Sequence, residues 1–167
     1  MLPIETLRLR LRRLTARDIP ALAAYRSDER VARLQSWESM SREEAEALVN
    51  EQDELGDDGR WVQIAIALKD TDALIGDIGT FVNGDTAEIG FSLSPDAQNH
   101  GYATEACRAV IDLLFALGPG RIVAIVDARN AAAIALLERL GMTLERTGEA
   151  QFKGATCLEH HFALMRR

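Results

Sequence analysis

The run Gln98-Asn99-His100-Gly101-Tyr102-Ala103-Thr104-Glu105-Ala106 holds the residues best suited to chemistry in this chain. It lies between a strand-like segment ending near Leu93 and an apolar-periodic helix spanning Tyr102 to Leu117. The first turn of a helix has backbone N–H groups without intrahelical partners, and they sit at the positive end of its dipole. Gly101 removes the Cβ that would hold a phosphate away, and Ala103 is nearly as small. Strand, small-residue loop and helix N-terminus together suit an anion, above all a pyrophosphate. The plainer reading is a strand-to-helix connection with a glycine at its turn. The run lacks both the Lys-Ser/Thr ending of a P-loop and the three glycines of a dinucleotide fingerprint. Its flanking elements must decide.

Those elements follow from periodicity. Leu7 to Leu11 alternates apolar and basic, as a half-buried strand does. Thr15 to Asp18 reads as a helix start, with Ile19, Leu22, Ala23 and Tyr25 behind it and Pro20 tolerated in the first turn. Ser41 and Glu44 form a capping box for a second helix, whose stripe is Ala45, Leu48, Val49 and Leu55 and whose end is Gly56 to Gly59. Trp61–Leu68, Leu74–Val82 and Thr86–Leu93 read as an antiparallel meander, with a hairpin signal at Asn83-Gly84-Asp85. Gly76 and Gly79 suggest close backbone approach within it. After the helix at Tyr102, stopped by Gly118-Pro119-Gly120, Arg121–Val126 is apolar on both faces, like an interior parallel strand. Strand, helix, strand across the loop is a βαβ crossover. A helix Ala131–Leu140, a short strand Thr143–Arg146 and a last strand Thr156–Met165 complete one mixed α/β domain over residues 1–167.

Composition narrows the partners. With 167 residues, 47% of them hydrophobic and 27% charged, the chain suits one globular domain. A net charge of −7 argues against a general nucleic-acid binder. The interval from Asp28 to Asp58 carries 11 acidic against 3 basic residues. That is either a solvated helix face or an entrance whose field draws in a cationic substrate. No secretory signal opens the chain, and no apolar run reaches the roughly 18 residues that cross a bilayer. Two cysteines, Cys107 and Cys157, show no metal-site or disulfide spacing. The expectation is a cytoplasmic protein with reduced thiols, no metal and no membrane.

Taken together, these segments resemble the GNAT superfamily of acyl-CoA-dependent N-acyltransferases. Gln98-Asn99-His100-Gly101-Tyr102-Ala103 is similar to its R/Q-x-x-G-x-G/A loop in every defined position. Leu7-Arg8-Leu9-Arg10, Glu88-Ile89-Gly90-Phe91, Tyr102 to Ala106, Asn130 to Ala133, Leu137 to Met142 and Lys153-Gly154 resemble the RimJ/RimL type, in the same order. The resemblance implies a mixed antiparallel and parallel sheet with a splayed central strand pair flanked by helices. It also implies acetyl-CoA as co-substrate, its pyrophosphate on the N–H groups of Asn99 to Thr104, with Gln98 opening the motif. The pantetheine arm would bond backbone groups of Phe91 and Leu93 and the side-chain amide of Asn130. Asn130 is equally suited to capping the following helix. A homodimer is compatible with the likeness.

Acetyl transfer to an amine needs the neutral amine. At pH 7 deprotonation costs roughly 4–5 kcal/mol for a lysine and about 1 kcal/mol for an α-amine. The resemblance implies a glutamate base acting through water, and Glu88 stands at that position; a cross-strand charge pair and an exposed strand start are its other readings. Backbone N–H groups of the Phe91–Leu93 segment would stabilise the oxyanion. The hydroxyls that relatives offer to the leaving thiolate fall on Ala133 and Leu137 here, so the acid is solvent or another hydroxyl such as Ser92 or Tyr102. Those absences also admit a CoA-binding module that senses without turnover. Trp37 and Trp61 are expected in a core or interface, with Trp37 alternatively lining the acceptor pocket. His160 and His161 are expected to pack, and Cys107 to be a buried thiol rather than a nucleophile. The amine acceptor is a protein N-terminus, slightly favoured by the likeness, or a small molecule such as an aminoglycoside.

Overall fold

Alternating burial builds the sheet. In the computed structural model, which describes residues 1–167, Leu9 and Leu11 of β2 (Leu9–Arg12) are buried while Arg10 and Arg12 lie half out. The other strands are β1 (Ile4–Glu5), β3 (Trp61–Leu68), β4 (Leu74–Asn83), β5 (Thr86–Leu93), β6 (Arg121–Asp127), β7 (Thr143–Phe152) and β8 (Ala155–Met165). They form one sheet in the order β1-β2-β3-β4-β5-β6-β8-β7. Every neighbouring pair is antiparallel except β5 and β6. The helices are α1 (Ile19–Ser27), α2 (Glu29–Ala32), α3 (Arg42–Asn50), α4 (Tyr102–Leu117) and α5 (Ala131–Arg139). None is long and apolar enough to cross a membrane.

Two cores lie on opposite faces of this sheet. On one, Leu9, Leu11, Ile64, Ile66, Ile78, Ile89 and Ile122 meet Ala106, Val110 and Leu114 of α4 and Leu136 and Leu137 of α5. On the other, Ala65 packs under Ile19, Leu22 and Tyr25 of α1 and Ala45 and Val49 of α3. Each large side chain buried this way contributes about 1.5–3 kcal/mol. The second face is covered only in part, and beyond α1 and α3 it lies open.

The departures from the sequence reading have local causes. The strand expected at Leu7–Leu11 is β2 and begins at Leu9, Leu7 being 85% exposed, and the two-residue β1 before it carried no periodic signal. A short 3-10 turn, Ala16–Asp18, precedes α1. Helix α3 stops at Asn50, so Leu55 lies in the following loop, packed against the larger core. Glu51, Asp53 and Glu54 would set acidic charge at the negative end of a longer helix. Strand β7 runs to Phe152, beyond the expected Arg146, because β8 pairs with it along its length. Its residues are mostly exposed and polar, which suits an edge. Strand β6 is parallel to β5 over three residue pairs only and antiparallel to β8, and Ile125 is 39% exposed. Gly76 is required where β4 meets β5, since a Cβ there would stand 2.3 Å from the Ser92 carbonyl oxygen.

Candidate active site

The parallel pair opens into a fork. Thr86, Ala87 and Glu88 of β5 face Arg121, Ile122 and Val123 of β6, and there the ladder ends although both strands continue. Past that point the Phe91 carbonyl accepts from the side-chain amide of Gln35 at 3.3 Å. The Leu93 carbonyl accepts from that of Gln98 at 3.2 Å. Side-chain amides thus stand beside the diverging strand. Gln98 ties the turn to β5 and also borders the cavity in front of the loop.

The loop after β5 presents donors. Asn99 and Gly101 both adopt left-handed backbone, with φ of 64° and 80°. Gly101 precedes α4 and provides no side-chain cap. The first N–H of α4 to bond back is that of Glu105, to the Gly101 carbonyl at 3.1 Å. The N–H groups of Asn99, His100, Gly101, Tyr102, Ala103 and Thr104 donate to no atom of the chain. Such a row of unfilled donors at a helix N-terminus is an anion site. Arg8 secures it, donating to the His100 carbonyl at 2.8 Å, pairing with Glu105 at 2.8 Å and lying 4.5 Å over the Tyr102 ring. Burial opposes the charge on Glu105, yet hydrogen bonds from Thr6 and Arg8 hold its carboxyl below the usual range. The His100 ring packs against Tyr102 instead of lining the cavity.

Two cavities meet at the fork. The larger, 1250 Å³, lies on the α4–α5 side and is bordered by Gln98, Asn99, Gly101 to Glu105, and by Arg30, Arg33, Arg108, Arg129 and Arg139. Its arginines suit a polyanionic ligand. The smaller, 560 Å³, lies on the opposite face and holds Trp37, Trp61, Glu88 and Glu159. Leu34, Gln35, Phe91, Ser92, Asn130 and Ala133 border both. Asn130 caps α5, its side-chain oxygen accepting from the Ala133 N–H at 3.1 Å. This leaves the NH₂ group of Asn130 free for a ligand, so capping and binding are compatible.

Glu88 is half-buried and has no ion-pair partner. Its cross-strand neighbours are Phe81 and Val123, which removes the reading as a cross-strand charge pair. Burial pushes its carboxyl up; nearby His161 opposes and Glu159 reinforces the shift. A carboxylate raised toward neutrality is suited to proton abstraction. Register puts Glu159 and His161 on the same face through Asp127 and Ile125 of β6, and His161 Nε2 lies 3.3 Å from Glu159. His160 bonds Thr147 at 2.7 Å instead. Ser92, 5% exposed, borders both cavities.

Not every side chain falls where sequence reasoning put it. Trp61 is not a core residue: it is 49% exposed and stacks at 5.4 Å on Phe81 beside the smaller cavity. Trp37 borders that cavity, donating its indole N–H to the Arg26 carbonyl at 3.0 Å, with the Arg26 guanidinium 4.3 Å over its ring. Beneath, Asp77 accepts from Arg26 at 2.5 Å and from the Tyr25 hydroxyl, an assembly that spacing alone did not reveal. Gln35 likewise carried no signal. Cys107 is wholly buried, as expected, and burial pushes its thiol up to about 12, which disfavours the thiolate a nucleophile needs.

The site thus consists of a forked parallel pair, a donor-rich loop at the fork and a cavity on each side of the sheet. Residues 8–143 match the family model for the acetyltransferase (GNAT) domain, and the chain belongs to that family of acetyltransferases. It is 36% identical over 151 residues to the uncharacterized N-acetyltransferase YoaA of Bacillus subtilis, covering 87% of this chain and 85% of that protein. An acetyltransferase of the GNAT family from Bacillus anthracis shares the fold with a TM-score of 0.85 at 24% identity, over 98% of each chain. RimL, the ribosomal L7/L12 α-N-protein acetyltransferase, solved with coenzyme A, shares it with a TM-score of 0.83 at 20% identity, over 96% of this chain and 95% of that one.

Proposed function

We propose that the chain transfers the acetyl group of acetyl-CoA to a primary amine by direct attack in a ternary complex. The observation that carries this reading is the fork past Glu88 and Val123, which joins an arginine-bordered cavity to an acid-bearing one. Acetyl-CoA supplies the thioester. The N–H groups of Asn99 to Thr104 receive its pyrophosphate, and Phe91, Leu93 and Asn130 receive the pantetheine arm once the amides of Gln35 and Gln98 turn away. From the smaller cavity Glu88 takes a proton from the amine, through water. The amine nitrogen then bonds to the carbonyl carbon, the carbon–sulfur bond breaks, and the proton the nitrogen sheds passes through the Ser92 hydroxyl to the thiolate, leaving Ser92 neutral. The RimJ/RimL likeness and the low cost of deprotonating an α-amine speak for a protein N-terminus, small-molecule amines are the other class, and the lining of the smaller cavity bears on the choice between them.

A reading as a CoA sensor without turnover draws on one feature. The positions where relatives carry a hydroxyl are Ala133 and the fully buried Leu137, and neither can protonate a thiolate. Thiol release from acetyl-CoA against a panel of amines separates the two. Acceptor-dependent release supports transfer, whereas CoA binding without release supports the sensor.

A further inference from the structure

The class of acceptor is written in the smaller cavity, given the reading as an amine acetyltransferase. Its floor is the face of the sheet that carries Trp61 and Gln63 of β3, Gly79 of β4, Glu88, Gly90 and Ser92 of β5, and Ile125 of β6. Gly79 and Gly90 face each other directly across β4 and β5. They play different parts. Over Gly79 lie the Gln63 amide and the edge of Trp61, which a Cβ would meet at 3.0 and 3.3 Å. Over Gly90 lies nothing: a Cβ built there has no neighbour within 4 Å. The floor is therefore bare backbone at Gly90, one residue pair on from Glu88 along the same face.

Flat and apolar side chains make up part of the lining, beside the polar Gln35, Ser36, Gln63, Ser92 and Asn130. Trp61 and Ile125 are 49% and 39% exposed, and Trp37 and Phe152 add two more rings. Of the charged groups, Arg26 is bound to Asp77 and Asp127 to Arg129. That leaves Glu88 and Glu159, the latter beside His161, to attract a cation. An aminoglycoside has more polar groups than Gln35, Ser36, Gln63, Ser92 and Asn130, several of them already engaged, can satisfy, and the remainder would lie against indole and Ile125, which is costly. The amides of a peptide would meet the same walls. A volume of 560 Å³ is ample for one ring system and a short arm.

We propose that the acceptor is a small arylalkylamine, its flat ring on the bare backbone of Gly90 between Trp61 and Trp37 and its amine at Glu88. Gly90 is thereby a specificity-determining residue. A leucine there would occupy the ring's place without strain, since the backbone of Gly90 is not left-handed and its Cβ meets nothing.

The chain's 2 tryptophans, Trp37 and Trp61, both border this cavity, so intrinsic fluorescence reads occupancy without turnover. With CoA present, 2-phenylethylamine should change the emission saturably, binding at least tenfold more tightly than hexylamine or an aminoglycoside. Gly90→Leu should weaken that binding more than tenfold and leave the Kd for CoA within twofold. Gly90→Ala, a smaller intrusion, should give an intermediate loss. Undiminished binding in Gly90→Leu, or tighter binding of the aliphatic amine or the aminoglycoside, overturns the proposal. Thiol release with peptide amines but not with 2-phenylethylamine also overturns it, while leaving acetyl transfer intact. Failure to bind acetyl-CoA would instead remove the transfer reading, and the titration with 2-phenylethylamine would still decide the slot.

Discussion

At the scale of single residues, Glu88 carries the sharpest prediction. Its carboxyl is raised by burial, so the acid limb of kcat should have an apparent pKa above the ordinary glutamate value of about 4.3. Glu88→Gln should lower kcat more than tenfold, abolish that limb and leave the Kd for acetyl-CoA within twofold. A variant that keeps its turnover removes Glu88 from the chemistry. Stability provides an independent check with a definite sign. A carboxyl whose folded pKa exceeds its unfolded one favours the protonated fold, so stability falls as pH rises through that interval. At neutral pH the ionised Glu88 therefore costs stability, and Glu88→Gln should melt no lower than the parent. In the proposed role, a base held against its own ionisation is a familiar exchange of stability for function.

The next scale is the loop and the strands that aim it. Gly101→Glu should abolish acetyl-CoA binding in calorimetry, because it puts a carboxylate and a strained left-handed Cβ among the donors of Asn99 to Thr104. Gln35→Ala should act in the opposite direction. The Gln35 amide holds the Phe91 carbonyl that pantetheine is proposed to use, and a hydrogen bond of this kind is worth about 0.5–1.5 kcal/mol net. Its removal should lower the Kd for acetyl-CoA by a factor of roughly 2–10; a higher Kd would make Gln35 a ligand to CoA rather than a competitor. Elements with strong local signals were legible in the sequence. The meander, α4 and the capping box at Ser41 announce themselves through period and turn chemistry, and so did the donor loop. The segment from Asp28 to Trp37 was not legible. Helix α2 is one turn long, and what fixes the strap after it is contact with distant residues: Gln35 with Phe91, and the Ala32 carbonyl with Lys153. Periodicity contains no record of such contacts. Trp61 misled for a related reason, since a large aromatic side chain reads as core until a cavity is known to lie beside it.

For the molecule as a whole, the sheet separates two cavities and gives each its own core. The larger core carries α4 and α5 and so supports the loop and Arg108 and Arg139 of the 1250 Å³ cavity. The smaller carries α1 and α3, and through Arg26 and the strap it supports Trp37 over the other cavity. Leu22→Ala and Leu114→Ala remove fully buried side chains from the smaller and larger core, and each should cost about 2–5 kcal/mol in urea unfolding. Their kinetic signatures should differ. Leu22→Ala should raise KM for the amine several-fold with KM for acetyl-CoA nearly unchanged, because α1 shifts under Trp37 while α4 stays in place. Leu114→Ala should do the reverse, loosening the helix whose N-terminus is proposed to hold the diphosphate. If both variants move both constants together, the faces are not mechanically independent, and the sheet acts as one body that transmits a defect from either core to the fork.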